Sequence, residues 1–103
     1  MTDPATDTLS FANDADHHRF VLTDGDVLLG FIEYELSDGL WDLQHTVIEP
    51  TARGRGLGSD LAARAFAYIA ERDERFIPTC TFLPGVLDRF PRFADHARSP
   101  EQR

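Results

Sequence analysis

The stretch Ile48-Glu49-Pro50-Thr51-Ala52-Arg53-Gly54-Arg55-Gly56-Leu57-Gly58-Ser59-Asp60-Leu61 decides how the chain is read. An apolar, strand-like run precedes it and an amphipathic helical pattern follows. Three glycines at alternate positions, Gly54, Gly56 and Gly58, strip side chains from a loop just where the helix begins. Glycine permits positive φ and lets a ligand approach the main chain closely. The first N–H groups of a helix have no partner within it and point outward as donors, and the aligned peptide dipoles add partial positive charge there. Strand, glycine-rich loop and helix start together predict an anion cradle suited to a phosphate or diphosphate. It is not a Walker loop, because no Lys-Ser/Thr pair follows and the chain has no lysine. It is not G-x-G-x-x-G either, because Ser59 stands three positions after Gly56. Taken alone, the pattern is equally compatible with an ordinary tight turn into a helix.

Downstream, Leu57, Leu61, Ala65 and Ile69 recur every four residues, with Ala62 and Phe66 widening the stripe. They predict a helix from about Gly56 to Arg72. Upstream, Leu40 to Ile48 reads as a strand with Trp41, Leu43, His45 and Val47 on one face. Val27 to Leu36 is a second strand, with Leu28, Gly30, Ile32, Tyr34 and Leu36 on a nearly apolar face. His17 to Thr23 is a first strand. Asp24-Gly25-Asp26 and Ser37-Asp38-Gly39 carry hairpin turn chemistry. After the helix, Arg75 to Phe82 reads as a fourth strand interrupted by Pro78, which implies an edge, a bulge or a splay. Pro84 to Phe90 is a short helix. These elements define an α/β class. The crossover through the long helix predicts that the third and fourth strands are parallel. Residues 1–15 read as a solvated acidic tail, 16–93 as one domain and 94–103 as a polar tail.

Composition bounds the function. The chain of 103 residues is a single domain, and its 42% hydrophobic content suffices for a core. A net charge of -8 sets the surface as a whole against nucleic acid and anionic membranes. All ten basic residues are arginine, and against that field a phosphate ligand must be held by local donors such as Arg53, Arg55 and the helix start. No apolar run approaches a membrane span, the N-terminus lacks the pattern of a secretory signal, and a single cysteine fits a reducing cytoplasm. A cytoplasmic protein is expected, as a monomer or homodimer.

Arg53-Gly54-Arg55-Gly56-Leu57-Gly58 resembles the Q/R-x-x-G-x-G/A signature of GNAT-superfamily acetyltransferases. His45-Thr46 stands ahead of the loop at the spacing found in the small single-domain, YjdJ-type branch. Pro78-x-Cys80-x-Phe82, with Pro91 eleven residues after the cysteine, resembles a further block of that branch. The resemblance implies a compact GNAT fold: antiparallel strands followed by a β-α-β unit whose parallel strands splay apart. It implies acetyl-CoA as the donor. The diphosphate would lie on Arg53, Gly54, Arg55, Gly56, Leu57, Gly58 and Ser59, and the pantetheine arm on the main chain of Val47 and Ile48. It implies an N-acetyltransferase acting on an amine of unknown identity, small or peptidic, with no metal.

Acetyl transfer to an amine needs a positioned thioester, a deprotonated amine and a donor for the developing oxyanion. His45, placed by alternation on the mostly apolar face, is a candidate base or orienting group; a satisfied core histidine is the competing reading. The resemblance places Cys80 beside the acetyl group, and the residues favour a proximity role over covalent catalysis. Glu33 and Glu35 share a strand face, as a solvated surface or as proton acceptors for the amine. Arg89 and Arg92 follow the short helix, and spacing alone ties neither to a phosphate. The sequence also departs from the branch: Val47 replaces the glutamate that follows His-Thr there, and Val86 and Phe90 replace other characteristic residues. The Val47 departure keeps a second reading open, a non-catalytic acyl-CoA-binding module. A small interaction domain without cofactor is the third.

Overall fold

The computed structural model describes residues 9–99. These form one curled sheet in the order β1-β2-β3-β4-β5, comprising β1 (Leu9–Asp14), β2 (Arg19–Asp24), β3 (Val27–Ser37), β4 (Leu40–Ile48) and β5 (Arg75–Ile77). The first four strands run antiparallel to their neighbours, and β5 runs parallel to β4. Helix α1 (Leu57–Glu71) joins β4 to β5, and α2 (Leu83–Arg89) follows. This is the α/β class expected, with the parallel pair where the crossover places it.

The four-residue stripe becomes the buried face of α1: Leu57, Leu61, Ala62, Ala65, Phe66 and Ile69 are all buried. They pack on the inner side of the sheet, where Phe20, Leu22, Ile32, Tyr34, Trp41 and Leu43 are also buried. Each large side chain so buried is worth about 1.5–3 kcal/mol of transfer free energy. The Phe66 and Phe76 rings stack at 4.5 Å, tying α1 to β5. The Trp41 indole N–H donates to Glu74 Oε1 at 2.8 Å, so the polar tip of that ring is satisfied as well.

Two expectations about the chain ends change. Leu9–Asp14, read as part of an acidic tail, is a strand. Its alternation is short, but Phe11 stacks on Phe20 at 5.5 Å and meets Tyr68 at 6.1 Å. Asn13 accepts a hydrogen bond from the Tyr34 hydroxyl; burial of that phenol raises its pKa above the ordinary 10.0. At the other end, Pro91–His96 forms a 3-10 turn. The Arg98 N–H then donates to the Phe76 carbonyl at 2.8 Å, continuing the sheet beside β5. Residues 1–8 and 100–103 of the two expected tails lie outside the described residues.

Two bulges alter the expected faces. In β3 the register shifts so that Leu29 and Gly30 are both buried; Leu36, near the far end of the strand, is exposed rather than part of the apolar stripe that Ile32 and Tyr34 continue. In β4, Glu33 pairs with His45 while Tyr34 pairs with Leu43, leaving Gln44 as the extra residue. Trp41 and Leu43 are buried before this bulge; His45 and Val47 are exposed after it. The expected common face of Trp41, Leu43, His45 and Val47 is therefore broken at Gln44. A one-residue insertion reverses every later side chain.

Candidate active site

The parallel pair is short. β5 pairs with β4 only at Leu40, Trp41 and Asp42 and ends at Ile77. Pro78 has no N–H to continue the ladder, so the fourth strand stops well before the expected Phe82. Cys80 therefore lies in a bend beyond the strand. Its N–H still returns to the Leu43 carbonyl at 2.9 Å, and beyond that point β4 and the following chain part.

Past the bulge, hydrogen-bond parity fixes what β4 offers to the opening. The Glu49 N–H donates to the Leu29 carbonyl at 2.8 Å, so odd positions here bond to β3. The Val47 carbonyl accordingly lies against Gly30. The main-chain groups of Thr46 and Ile48 face the opening instead, and the Ile48 carbonyl accepts from Arg53 Nε at 3.2 Å. Of the two expected main-chain contacts, Ile48 faces the gap and Val47 does not; the bulge substitutes Thr46. Gly30 permits the close approach of the strands, since a Cβ there would lie 2.7 Å from the Val47 carbonyl oxygen and 2.6 Å from the Ile48 side chain.

A 3-10 turn at Pro50–Ala52, anchored by buried Ala52, carries the chain from β4 to the glycines. Gly54 and Gly56 take φ of 84° and 73°, in the left-handed region that side chains avoid. Gly56 is the N-cap of α1 and offers no side chain to its amides. The bond that opens the helix runs from the Asp60 N–H to the Gly56 carbonyl, at 3.3 Å. The N–H groups of Leu57, Gly58 and Ser59 come before it, where a helix supplies no internal acceptor.

Thr46, Ile48, Ala52, Arg53, Gly54 and Gly56 to Ser59 meet in one groove of about 350 Å³, closed on one side by Phe82. The Phe82 ring stands over the helix start; a Cβ on Gly58 would come within 3.0 Å of it. The buried hydroxyl oxygen of Thr46 has no hydrogen-bond partner among the described residues. A larger hollow of about 470 Å³ lies at the other end of β4, lined by Glu35, Asp38, Asp42 and Arg75 among others. Of the candidate site residues read from the sequence it holds Glu35, whereas the glycine loop and Ile48 line the smaller groove.

His45 and Glu33 meet on the outer face of the sheet. Their side chains are 72% and 51% exposed, with His45 Nδ1 3.5 Å from Glu33 Oε1. His45 is thus neither a core histidine nor on the apolar face. Glu35 pairs across the strands with Asp42, which accepts from the Thr79 hydroxyl, so this face is acidic. Among the described residues no three His, Cys, Asp or Glu side chains group as a metal site would need.

Thr46 and Phe82, which line the groove, had no assigned role in the sequence reading. Phe82 stood in the quoted motif, so its place was within reach. Thr46 stood in the His45-Thr46 pair, but its facing the opening required the bulge.

A glycine-opened helix start beside a parallel pair that parts midway, under a meander of antiparallel strands, is the architecture of GNAT-type N-acetyltransferases. The chain belongs to the GCN5-related N-acetyl-transferase family, which residues 19–96 match. Its fold is shared by a GCN5-like protein from Staphylococcus aureus solved by NMR, at a TM-score of 0.65 and 20% identity, over 89% of this chain and 90% of that one. A GNAT-family protein from Desulfovibrio desulfuricans aligns over 55% of this chain and 38% of its own, at 23% identity and a TM-score of 0.48.

Proposed function

We propose that the protein is an acetyl-CoA-dependent N-acetyltransferase of the small single-domain, YjdJ-type branch, acting on an amine. The observation that carries this reading is the groove itself: main-chain donors at the α1 start, open space above Gly54 and Gly56, and the orphaned Thr46 hydroxyl. These features fit a thin polar arm ending in a diphosphate. Amides from Arg53 to Ser59 hold the diphosphate, and the main chain of Thr46 and Ile48 orients the arm. Arg53 pins the loop to the end of β4. Bound there, acetyl-CoA supplies the acetyl thioester.

The chain's own contribution is proton handling and orientation. With Nδ1 turned to the Glu33 carboxylate, His45 has Nε2 available to take a proton from the incoming ammonium. The exposed carboxylates of Glu33 and Glu35 draw a cationic acceptor to that face. Cys80, fastened to β4 through its amide, sits beside the reacting group as a small side chain rather than as a nucleophile. One observation favours the acyl-CoA-binding module instead: Val47, where the branch carries glutamate, faces solvent as an aliphatic group at 37% exposure.

Calorimetry with acetyl-CoA, paired with thiol release in the presence of an amine panel, tests both readings. The enzyme is expected to bind and to release thiol only when an amine is added. Binding without release leaves the module, and no binding removes both. Gly56→Val sharpens the test, because a β-branched residue at positive φ forces the backbone to move. Its acetyl-CoA affinity is expected to fall by at least about tenfold. Unchanged affinity would remove the loop from the site.

A further inference from the structure

The outer face of the sheet carries two acidic rungs. Glu33 pairs with His45 and, one rung along the strands, Glu35 pairs with Asp42. The extra residue of the bulge lies on β4, so β3 alternates regularly from Glu33 to Glu35. The two carboxylates therefore stand on one face, two strand residues or about 6.8 Å apart. The first rung is the proton-handling pair. The second opens into the hollow of about 470 Å³ at the other end of β4, floored by buried Ile77. The walls of that hollow carry opposite charges. Glu35, Asp38 and Asp42 stand on the side of the β3–β4 hairpin, and Arg75 and Arg98 on the side of β5 and the chain beyond α2. These charges do not close on each other. Arg75 gives Nη1 to the carbonyls of Asp73 and Glu74, and its ion pair is with Asp73 at 3.5 Å, which does not line the hollow. Arg98 gives Nη1 to the carbonyls of Asp95 and Ala97. Among the described residues Arg98, Glu35 and Asp38 form no ion pair. A hollow of this size takes a small molecule. Acids on one wall and guanidiniums on the other suit a guest that carries an ammonium and a carboxylate side by side.

We propose that this hollow seats the head group of the acetyl acceptor, a free basic α-amino acid of the ornithine or lysine type, whose side-chain amine is acetylated. This rests on the acetyltransferase reading. The α-carboxylate lies on Arg75 and Arg98, whose planar forks match it, and the α-ammonium lies on Glu35 and Asp42. The two nitrogens of an extended four- or five-carbon diamine are about as far apart as two strand residues, so the side-chain ammonium reaches Glu33 and His45. There it gives one proton to His45 Nε2. The freed nitrogen bonds the acetyl carbon as the carbon–sulfur bond breaks, and the sulfur leaves with the bonding pair. A second proton from the nitrogen goes to that sulfur, giving the thiol, and His45 releases its own to water. A plain diamine would answer both acidic rungs and leave the two arginines without a partner in the hollow.

The test is calorimetry without acetyl-CoA, comparing lysine and ornithine with their decarboxylated counterparts cadaverine and putrescine, on the full-length wild type, Arg98→Ala and Glu35→Gln. The wild type is expected to bind each amino acid about tenfold or more tighter than its diamine. Arg98→Ala should erase that preference without weakening the diamine, which also shows the variant to be folded. Glu35→Gln should weaken amino acid and diamine alike, by about tenfold. With acetyl-CoA added, mass spectrometry of the product should place the acetyl group on the side-chain nitrogen. A diamine bound as tightly as its amino acid would overturn the inference. So would acetyl on the α-nitrogen, or an Arg98→Ala variant that keeps the preference. Thiol release with other amines, in a protein that binds none of these four, overturns the inference and leaves the acetyltransferase reading standing. Amino-acid binding in a protein that does not bind acetyl-CoA removes that reading, and the acceptor role with it.

Discussion

The two halves of β4 have opposite characters. Leu40 to Leu43 is paired on both sides, with Trp41 and Leu43 buried among aromatic rings. His45 to Ile48 is paired on β3 alone, and the opening on its other edge borders the loop. Only Gln44 stands between them. The first half is defined by what it buries, and any side chain of that volume and polarity would serve. The second is defined by what it presents away from the core: the main chain of Thr46 and Ile48 at the opening, one hydroxyl without a partner and one exposed imidazole. A single strand therefore does the work of a core element and of a binding edge, and the inserted residue separates the tasks.

Substitutions along β4 and its neighbour β3 should reproduce that division. The largest effect is expected at Leu43, which is fully buried. Leu43→Ala should cost about 2–5 kcal/mol, read in a denaturant titration, and would lower the melting temperature by about 4 °C or more per kcal/mol. A loss below about 1 kcal/mol would mean that the first half is not the core. Gly30→Ala should follow at about 1–3 kcal/mol, because the new methyl meets the Val47 carbonyl, which cannot swing away, as well as the Ile48 side chain. Its ligand affinity should fall as well, since the push is delivered to the open half.

Thr46→Val is expected to run the other way. Removing a buried hydroxyl without a partner should stabilise the chain by about 1 kcal/mol, while acetyl-CoA affinity drops. A variant that is neither more stable nor weaker in binding would break the contrast. The smallest effect on stability belongs to His45→Ala, within about 0.5 kcal/mol, because the side chain is exposed. Its turnover should fall by about 100-fold or more if Nε2 takes the amine proton. Equal turnover would move the proton acceptor to Glu33 or Glu35.

Much of this architecture was legible in the sequence. The stripe from Leu57 to Ile69 gave α1 nearly to its ends, and the two Asp-Gly turns gave the β2–β3 and β3–β4 hairpins, because helical period and turn chemistry are local. The loop was legible for the same reason: Gly54 and Gly56 need positive φ, and the residues say so. Gln44 and Leu29 carry no local mark of a bulge. An extra residue is chosen by the partner strand, so alternation counted along one strand misplaced His45 and Val47. β1 was hidden because Ser10, Asn13 and Asp14 look like solvated chain, whereas its worth lies in Phe11 meeting Phe20 and Tyr68, far along the sequence. The contact of Arg89 with Ser59 spans thirty positions and follows only from the packing of α2 on α1.

The strand Leu9–Asp14 has a practical consequence for anyone trimming this protein. The family match begins at Arg19, and a chain cut to that boundary would lose the ribbon that shields β2. It would bare a row of unsatisfied amides and carbonyls beside the Phe20 ring, a template for edge-to-edge association. Such a shortened chain should precipitate or self-associate at concentrations where the full chain stays dispersed, even though every residue lining the groove beside the glycine loop would still be present.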